Sequence, residues 1–282
     1  MAGPPPPTTW NLDPALVIIL ITLLTAFALT TGPLRGRFPG SQPISRGQIA
    51  LFVSGWTTLA LSVLTPLDTL GRYYLFSAHT IQLFIIITLS TPLMMGGIPD
   101  WLSRVLLPSE RSRAASGGLL FSVIAVLAFN GLILGWHIGL FYQAALDSGF
   151  WHNVQLLTFV AAGALTWWPL LTPANRHIRM SSPLQMLYLA AESIPLDIFG
   201  VFAIFARGVF YHGYAVAPRV FPISPALDQQ ISGGILAVPG NIIDVVLMSV
   251  IFFAWIERTE RAQRERERAA DEHSTTAGEA TQ

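Results

Sequence analysis

Seven long apolar runs, separated by short loops rich in proline, glycine and arginine, limit this chain to one kind of fold. The runs are 14–31, 47–66, 74–98, 116–139, 152–171, 184–210 and 231–256. Each approaches or exceeds the ~20 residues that a helix needs to cross the hydrocarbon core at 1.5 Å per residue. In lipid every backbone polar group must be satisfied within the segment, so such runs fold as helices. The reading is all-α, a polytopic membrane helix bundle with about seven transmembrane helices. Charge agrees with it, because only 11% of the residues are Asp, Glu, Lys or Arg, against ~25% in a soluble domain. The loops between runs leave no room for a second domain. Residues 1–13 form a Pro-rich N-terminus, 14–256 the membrane domain and 257–282 a charged tail. The N-terminus contains Pro4 to Pro7 and no cation. It therefore lacks the positive region of a secretory signal, and the first run reads as a retained span.

All sixteen cations are arginine, and there is no cysteine. Without Lys a retinal Schiff base is excluded. Without Cys, disulfides, thiolate metal sites and cysteine nucleophiles are excluded together. A net charge of zero gives no case for nucleic acid. No Walker A, GxSxG or HExxH pattern is present, so nothing points to an enzyme. Thirteen arginines fall in the loops after the first, third and fifth runs and in the tail. The positive-inside rule places these in the cytoplasm and the N-terminus outside, an N-out/C-in topology. In the tail, Glu257/Arg261 and Glu260/Arg264 have helical i,i+4 spacing, which predicts a solvated helical extension. Pro195 and Pro239 lie inside runs and predict kinks.

On this topology four of six histidines gather near the outer face. His79 lies about one and a half turns inside the third span. His137 closes the fourth, His152 opens the fifth and His212 follows the sixth. His177 and His273 are cytoplasmic. Imidazoles converging from several helices can hold copper or haem; the alternative is ordinary interfacial histidine. The sequences His79-Thr-Ile-Gln82 and His152-Asn-Val-Gln155 put His and Gln on one helix face. There Gln82 and Gln155 either orient the imidazoles or bond between helices. Asp228 stands at the outer mouth of the seventh span, and Asp68 at the outer side of the third, so a carboxylate can join a site there. Asp197 and Asp244 fall near mid-membrane, with Glu192 closer to the cytoplasm. Such acids either relay protons or pin helices as hydrogen-bonded neutral groups.

Several stretches resemble the CtaG-type cytochrome c oxidase assembly factors of bacteria. They include Thr65-Pro-Leu-Asp68, Tyr74-Leu-Phe-Ser-Ala-His79-Thr-Ile-Gln82 and Thr91-Pro-Leu93 with Gly96-Gly-Ile-Pro99. Others are Gly135-Trp136-His137 with Tyr142, His152 with Trp167-Trp168-Pro169, Tyr211-His-Gly-Tyr214, and Asp228-Gln-Gln-Ile-Ser-Gly233 with Val238-Pro239-Gly240. They occur in one consistent order from the second span to the seventh. The resemblance implies a multi-pass protein of the bacterial plasma membrane that contacts cytochrome c oxidase subunits and assists oxidase maturation, at the copper-insertion step. It departs from the family pattern at Leu83 and Leu156, where the family carries a second histidine four residues after His79 and His152. Copper at His79, His137 and His152, a metal-free scaffold and a haem-binding redox protein are the readings that follow.

Overall fold

Three helix starts in this chain carry side-chain caps, from Asp13, Ser45 and Ser224. Asp13 accepts a hydrogen bond from the backbone N–H of Ala15 at 2.8 Å, and Pro14 follows as the first helical residue. Ser45 and Gln48 form a reciprocal capping box, and Ser224 accepts from the N–H of Leu227 ahead of Pro225. These satisfy amides that a helix leaves unpaired at its N-terminus. The computed structural model describes residues 3–106, 119–171 and 180–279, with side chains up to 268. The arginines expected at 111, 113, 176 and 179, His177 and the side chain of His273 lie outside the described residues.

Besides a short 3₁₀ turn at Arg35–Arg37, twelve helices follow in order among the described residues. They are α1 (Pro14–Thr31), α2 (Arg46–Leu64), α3 (Pro66–Tyr73), α4 (Phe76–Gly96), α5 (Asp100–Leu106), α6 (Leu119–Trp136), α7 (Gly139–Asp147), α8 (Gly149–Leu171), α9 (Ser182–Phe205), α10 (His212–Val216), α11 (Pro225–Ala237) and α12 (Pro239–Glu279). Among the described residues, seven helical spans are long and apolar enough to cross a membrane: α1, α2, α4, α6, α8, α9 and the α11–α12 pair. The seven runs expected from sequence are thus found, with ends shifted by a few residues. The seventh span begins earlier, at Pro225, and breaks at Val238 before Pro239, because proline cannot donate into the preceding turn. Pro195 remains inside the continuous helix α9.

Helix α4 is the centre of the bundle. Of its membrane window 61% is buried, against 22% for α1. It packs on α2, α3, α8 and α11. A wide π turn over Ile85–Ser90 precedes Thr91-Pro92. Pro92 offers no N–H to the carbonyl of Ile87, and Trp167 Nε1 of α8 donates to that oxygen instead at 2.8 Å. Thr91 Oγ1 donates to the Ile86 carbonyl at 2.6 Å. A proline deep in an apolar helix is tolerated here because neighbouring side chains satisfy what it frees. Gly55 lets α2 approach closely: a Cβ there would lie 2.6 Å from Met94 N and Ser90 O of α4. Helices α9 and α11 touch in the same way, with a Cβ on Gly200 falling 2.8 Å from the Gly233 carbonyl oxygen. Small residues at such crossings are a standard device of membrane helix packing. The tail continues α12 as a helix, where Arg261 pairs with Glu257 and Arg264 with Glu260 at exposed positions.

A candidate metal site among histidines and tyrosines

The N-terminus of α4 is not capped by its own sequence. Leu75 occupies the cap position and has no side-chain acceptor. Asp228, on α11, supplies the missing anion. Its Oδ2 accepts from Phe76 N at 2.7 Å, and its Oδ1 accepts from Ser77 N at 3.2 Å and from the Ser77 hydroxyl. A carboxylate placed against free amides and the positive end of a helix dipole is favourable. It fixes the rotation of α4 and hence the direction of His79, one turn further in. The adjacent Gln229 accepts from Phe210 N at 2.7 Å and donates to the Gly208 carbonyl at 3.0 Å. That grip holds the turn after α9 and delivers Tyr211 to the bundle.

His79 and His137 lie side by side, with ring centroids 5.9 Å apart. Both are buried, and the Nε2 of each has no hydrogen-bond partner. The Nδ1 of His137 is 2.8 Å from the Ile133 carbonyl, so Nδ1 carries the hydrogen and Nε2 presents its lone pair inward. His137 stands one residue beyond the end of α6. Burial drives its pKa down to about 4, against the upward pull of the Ile133 carbonyl. The imidazole is therefore neutral at physiological pH, the form that binds metal. An orphaned, buried ring nitrogen is costly in an apolar interior, and here two occur together.

Aromatic rings enclose the pair. Tyr142 lies 5.1 Å from His79 and 5.6 Å from His137, centroid to centroid; Phe159 is 5.8 Å from His79, and Phe199 is 5.0 Å from His137. Tyr142 and Tyr214 share a hydroxyl–hydroxyl bond of 2.9 Å. The Tyr214 hydroxyl donates to the Gly71 carbonyl, so in their mutual bond Tyr142 is the donor. The Tyr211 hydroxyl donates to the His137 carbonyl at 2.8 Å. Burial raises the pKa values of all three phenols, so they are neutral. In the sequence these tyrosines stand out only as parts of the resemblance. Their role as walls has no local signal, because they come from α7 and from the stretch around α10.

His152 has a different partner. Its Nε2–H donates to Asp68 Oδ1 at 2.8 Å. The same oxygen accepts from Gln82 Nε2 at 2.7 Å, and Asp68 Oδ2 accepts from Asn11 Nδ2 at 2.8 Å. Asp68 is only 2% exposed. One buried carboxylate thus joins the N-terminal segment, α3, α4 and α8. The N-terminal segment is further tied down by Asn11 N to the Leu64 carbonyl, Thr69 Oγ1 to the Thr9 carbonyl and the Tyr74 hydroxyl to the Pro5 carbonyl.

The remaining candidates divide cleanly. Gln82 donates to Asp68 and to the Ser62 carbonyl. Gln155 is buried beside His152, with its amide nitrogen unpartnered. His212 is exposed at the start of α10 and stands apart from the other histidines, while its neighbours Tyr211 and Tyr214 enter the cluster. Glu192, Asp197 and Asp244 meet at a separate, small cleft of about 70 Å³, also lined by Leu83, Ser193 and Gly240. Leu83 and Leu156 are both buried in the main apolar core with Phe129 and Ile133. Among the described residues no group of three or more His, Asp or Glu side chains is arranged to hold a metal ion.

The family model for the cytochrome c oxidase caa3 assembly factor matches residues 25–258, from the second half of α1 to the start of the charged tail. Comparison with curated proteins and with solved structures gives no match.

Proposed function

Because this chain belongs to the cytochrome c oxidase caa3 assembly factor family, we propose that it serves oxidase maturation by holding copper between His79 and His137. The family makes it a membrane-embedded factor for assembly of cytochrome c oxidase, a role that calls for no catalysis of its own. The step is copper insertion, performed at the outer face of a bacterial plasma membrane and directed at the oxidase subunits that carry the metal. The single observation that carries the reading is the pair of buried imidazole nitrogens, Nε2 of His79 and of His137, with no protein partner. Two imidazoles bonded through one metal at ~2.0 Å per bond have ring centroids ~6 Å apart, and the observed separation is 5.9 Å. Two neutral imidazole nitrogens without a partner are a donor type that suits copper, which supports the reading. Copper as cargo would be received and released there, while Asp228 orients α4 and Tyr211 anchors the His137 backbone.

The test is a copper titration of the purified protein. One copper per chain is expected, with loss of binding in both His79→Ala and His137→Ala. Unchanged stoichiometry and affinity in those variants would sink the assignment.

A second reading keeps the family role without metal. It is favoured by one observation: His152, the third histidine expected at the site, is committed to Asp68. A metal-free scaffold would co-purify with the oxidase and carry no copper. Haem held by the same imidazoles would instead give a Soret band in the freshly purified protein.

A further inference from the structure

The two-histidine site is enclosed by groups that have no charge left to offer a metal, and this decides which oxidation state it can take. Selectivity of this kind rests on the copper reading above and narrows it. Each nearby carboxylate already accepts three hydrogen bonds from protein donors. Asp68 accepts from Asn11, Gln82 and His152, and Asp228 accepts from Phe76 and Ser77. The Tyr142 hydroxyl gives its hydrogen to Tyr214, and the chain has no cysteine. His152 presents Nε2 to Asp68. What remains for a metal is the two unpartnered imidazole nitrogens in an aromatic box, with the neutral amide oxygen of Gln82, also unpartnered, three residues along α4 from His79.

A complex of two neutral imidazoles keeps the full charge of its ion. The cost of burying an ion rises with the square of its charge, so a divalent ion pays about four times what a monovalent ion pays. Coordination number points the same way. Zn(II) takes four ligands in a tetrahedron, and Cu(II) prefers a tetragonal set. Cu(I), a d¹⁰ monovalent ion, is satisfied by two nitrogen donors. Aromatic rings 5–6 Å from the imidazoles add the weak attraction of their π-systems for a cation. We infer that His79 and His137 form a two-coordinate site selective for Cu(I), and that the Asp68–His152 pair is a structural clasp outside the coordination shell. Loading is a ligand exchange. Two Cu–N bonds form, two bonds to the delivering ligand break, and no electron is transferred.

The experiment uses the full chain in lipid nanodiscs. Cu(I) is offered under anaerobic, reducing conditions from a coloured chelator of known affinity, while Cu(II) and Zn(II) are offered from their own chelators. Ag(I) serves as a redox-inert monovalent control. The expected result is one Cu(I) or one Ag(I) per chain, held at least ~100-fold more tightly than Zn(II) or Cu(II). X-ray absorption at the copper edge of the wild-type complex should show two nitrogen neighbours. His79→Ala and His137→Ala should each abolish binding, and His212→Ala should not. Binding of Cu(II) or Zn(II) at matched affinity, or a copper shell of three or more nitrogens, overturns the inference but leaves the copper reading standing. Absence of binding for copper in either state removes both. The wild-type coordination number decides the matter even if a histidine variant fails to fold.

Discussion

Replacing Asp68 tests the account where its consequences are largest. In Asp68→Ala three donors lose their acceptor at once: the half-buried Asn11 Nδ2 and the buried Gln82 Nε2 and His152 Nε2. Taken as average interhelical bonds in a membrane, at ~0.6 kcal/mol each, they sum to about 2 kcal/mol. That figure assumes that the donors find other partners. Here Asp68 and His152 are each only 2% exposed, and Gln82 is 1% exposed, so water cannot replace the carboxylate without opening the fold. Breaking one side of a buried pair costs about 3–5 kcal/mol, and the expected loss is about 4 kcal/mol. Asp68→Asn should cost roughly half as much, since one oxygen can still accept from Gln82 and His152 while the amide faces Asn11. The assay is equilibrium unfolding in mixed micelles, followed by tryptophan fluorescence. A change below about 1 kcal/mol for Asp68→Ala, or an Asn variant less stable than the Ala variant, would refute the clasp. A double-mutant cycle with His152→Ala should give a coupling of about 1–3 kcal/mol.

Asp228→Ala removes an anion from the start of α4, and its expected cost is about 2 kcal/mol, a cap plus a charge–dipole contact; the same micelle assay reads it, and weaker copper binding should accompany it because α4 is free to rotate. Gly233→Leu places a side chain where α11 meets the Gly200 backbone of α9, and overpacking there should destabilise by at least ~1–3 kcal/mol, with protease cleavage between α9 and α11 as a second readout. His137 binds fewer protons folded than unfolded from pH 6.5 down to about 4, so this group's contribution to stability is full above 6.5 and falls as the pH drops through that window. His137→Gln should flatten the pH dependence of unfolding there and leave it unchanged above pH 7.

The membrane architecture was legible because hydrophobic length is a local property, and each of the seven spans announces itself. The gathering of His79 and His137 was legible for a related reason: successive spans alternate in direction, so the position of a residue along its span gives its depth. Lateral position is another matter. Asp68 and His152 are 84 residues apart, and no periodicity says that α3 meets α8. The same holds for Glu192, Asp197 and Asp244, whose shared cleft depends on the order of helices around the bundle. Gln82 shows the limit most directly. Helical spacing puts it on the same face as His79, yet its amide reaches Asp68, because that carboxylate outcompetes a neutral imidazole for a buried donor. The capping of α4 by Asp228, 152 residues away from Phe76, has no sequence signature at all. The π turn before Pro92 was half visible. Proline marks the place, but Trp167 as the substitute donor depends on packing.

The most direct measurement of the central claim is the metal content of the target oxidase. Cells producing wild-type protein, no protein, or His79→Ala/His137→Ala protein would be compared, and copper and haem would be quantified in the purified caa3-type oxidase from each. The account predicts an oxidase that keeps its haem and lacks copper when the protein is absent or lacks both histidines. An oxidase with its full copper complement in the double variant would contradict it.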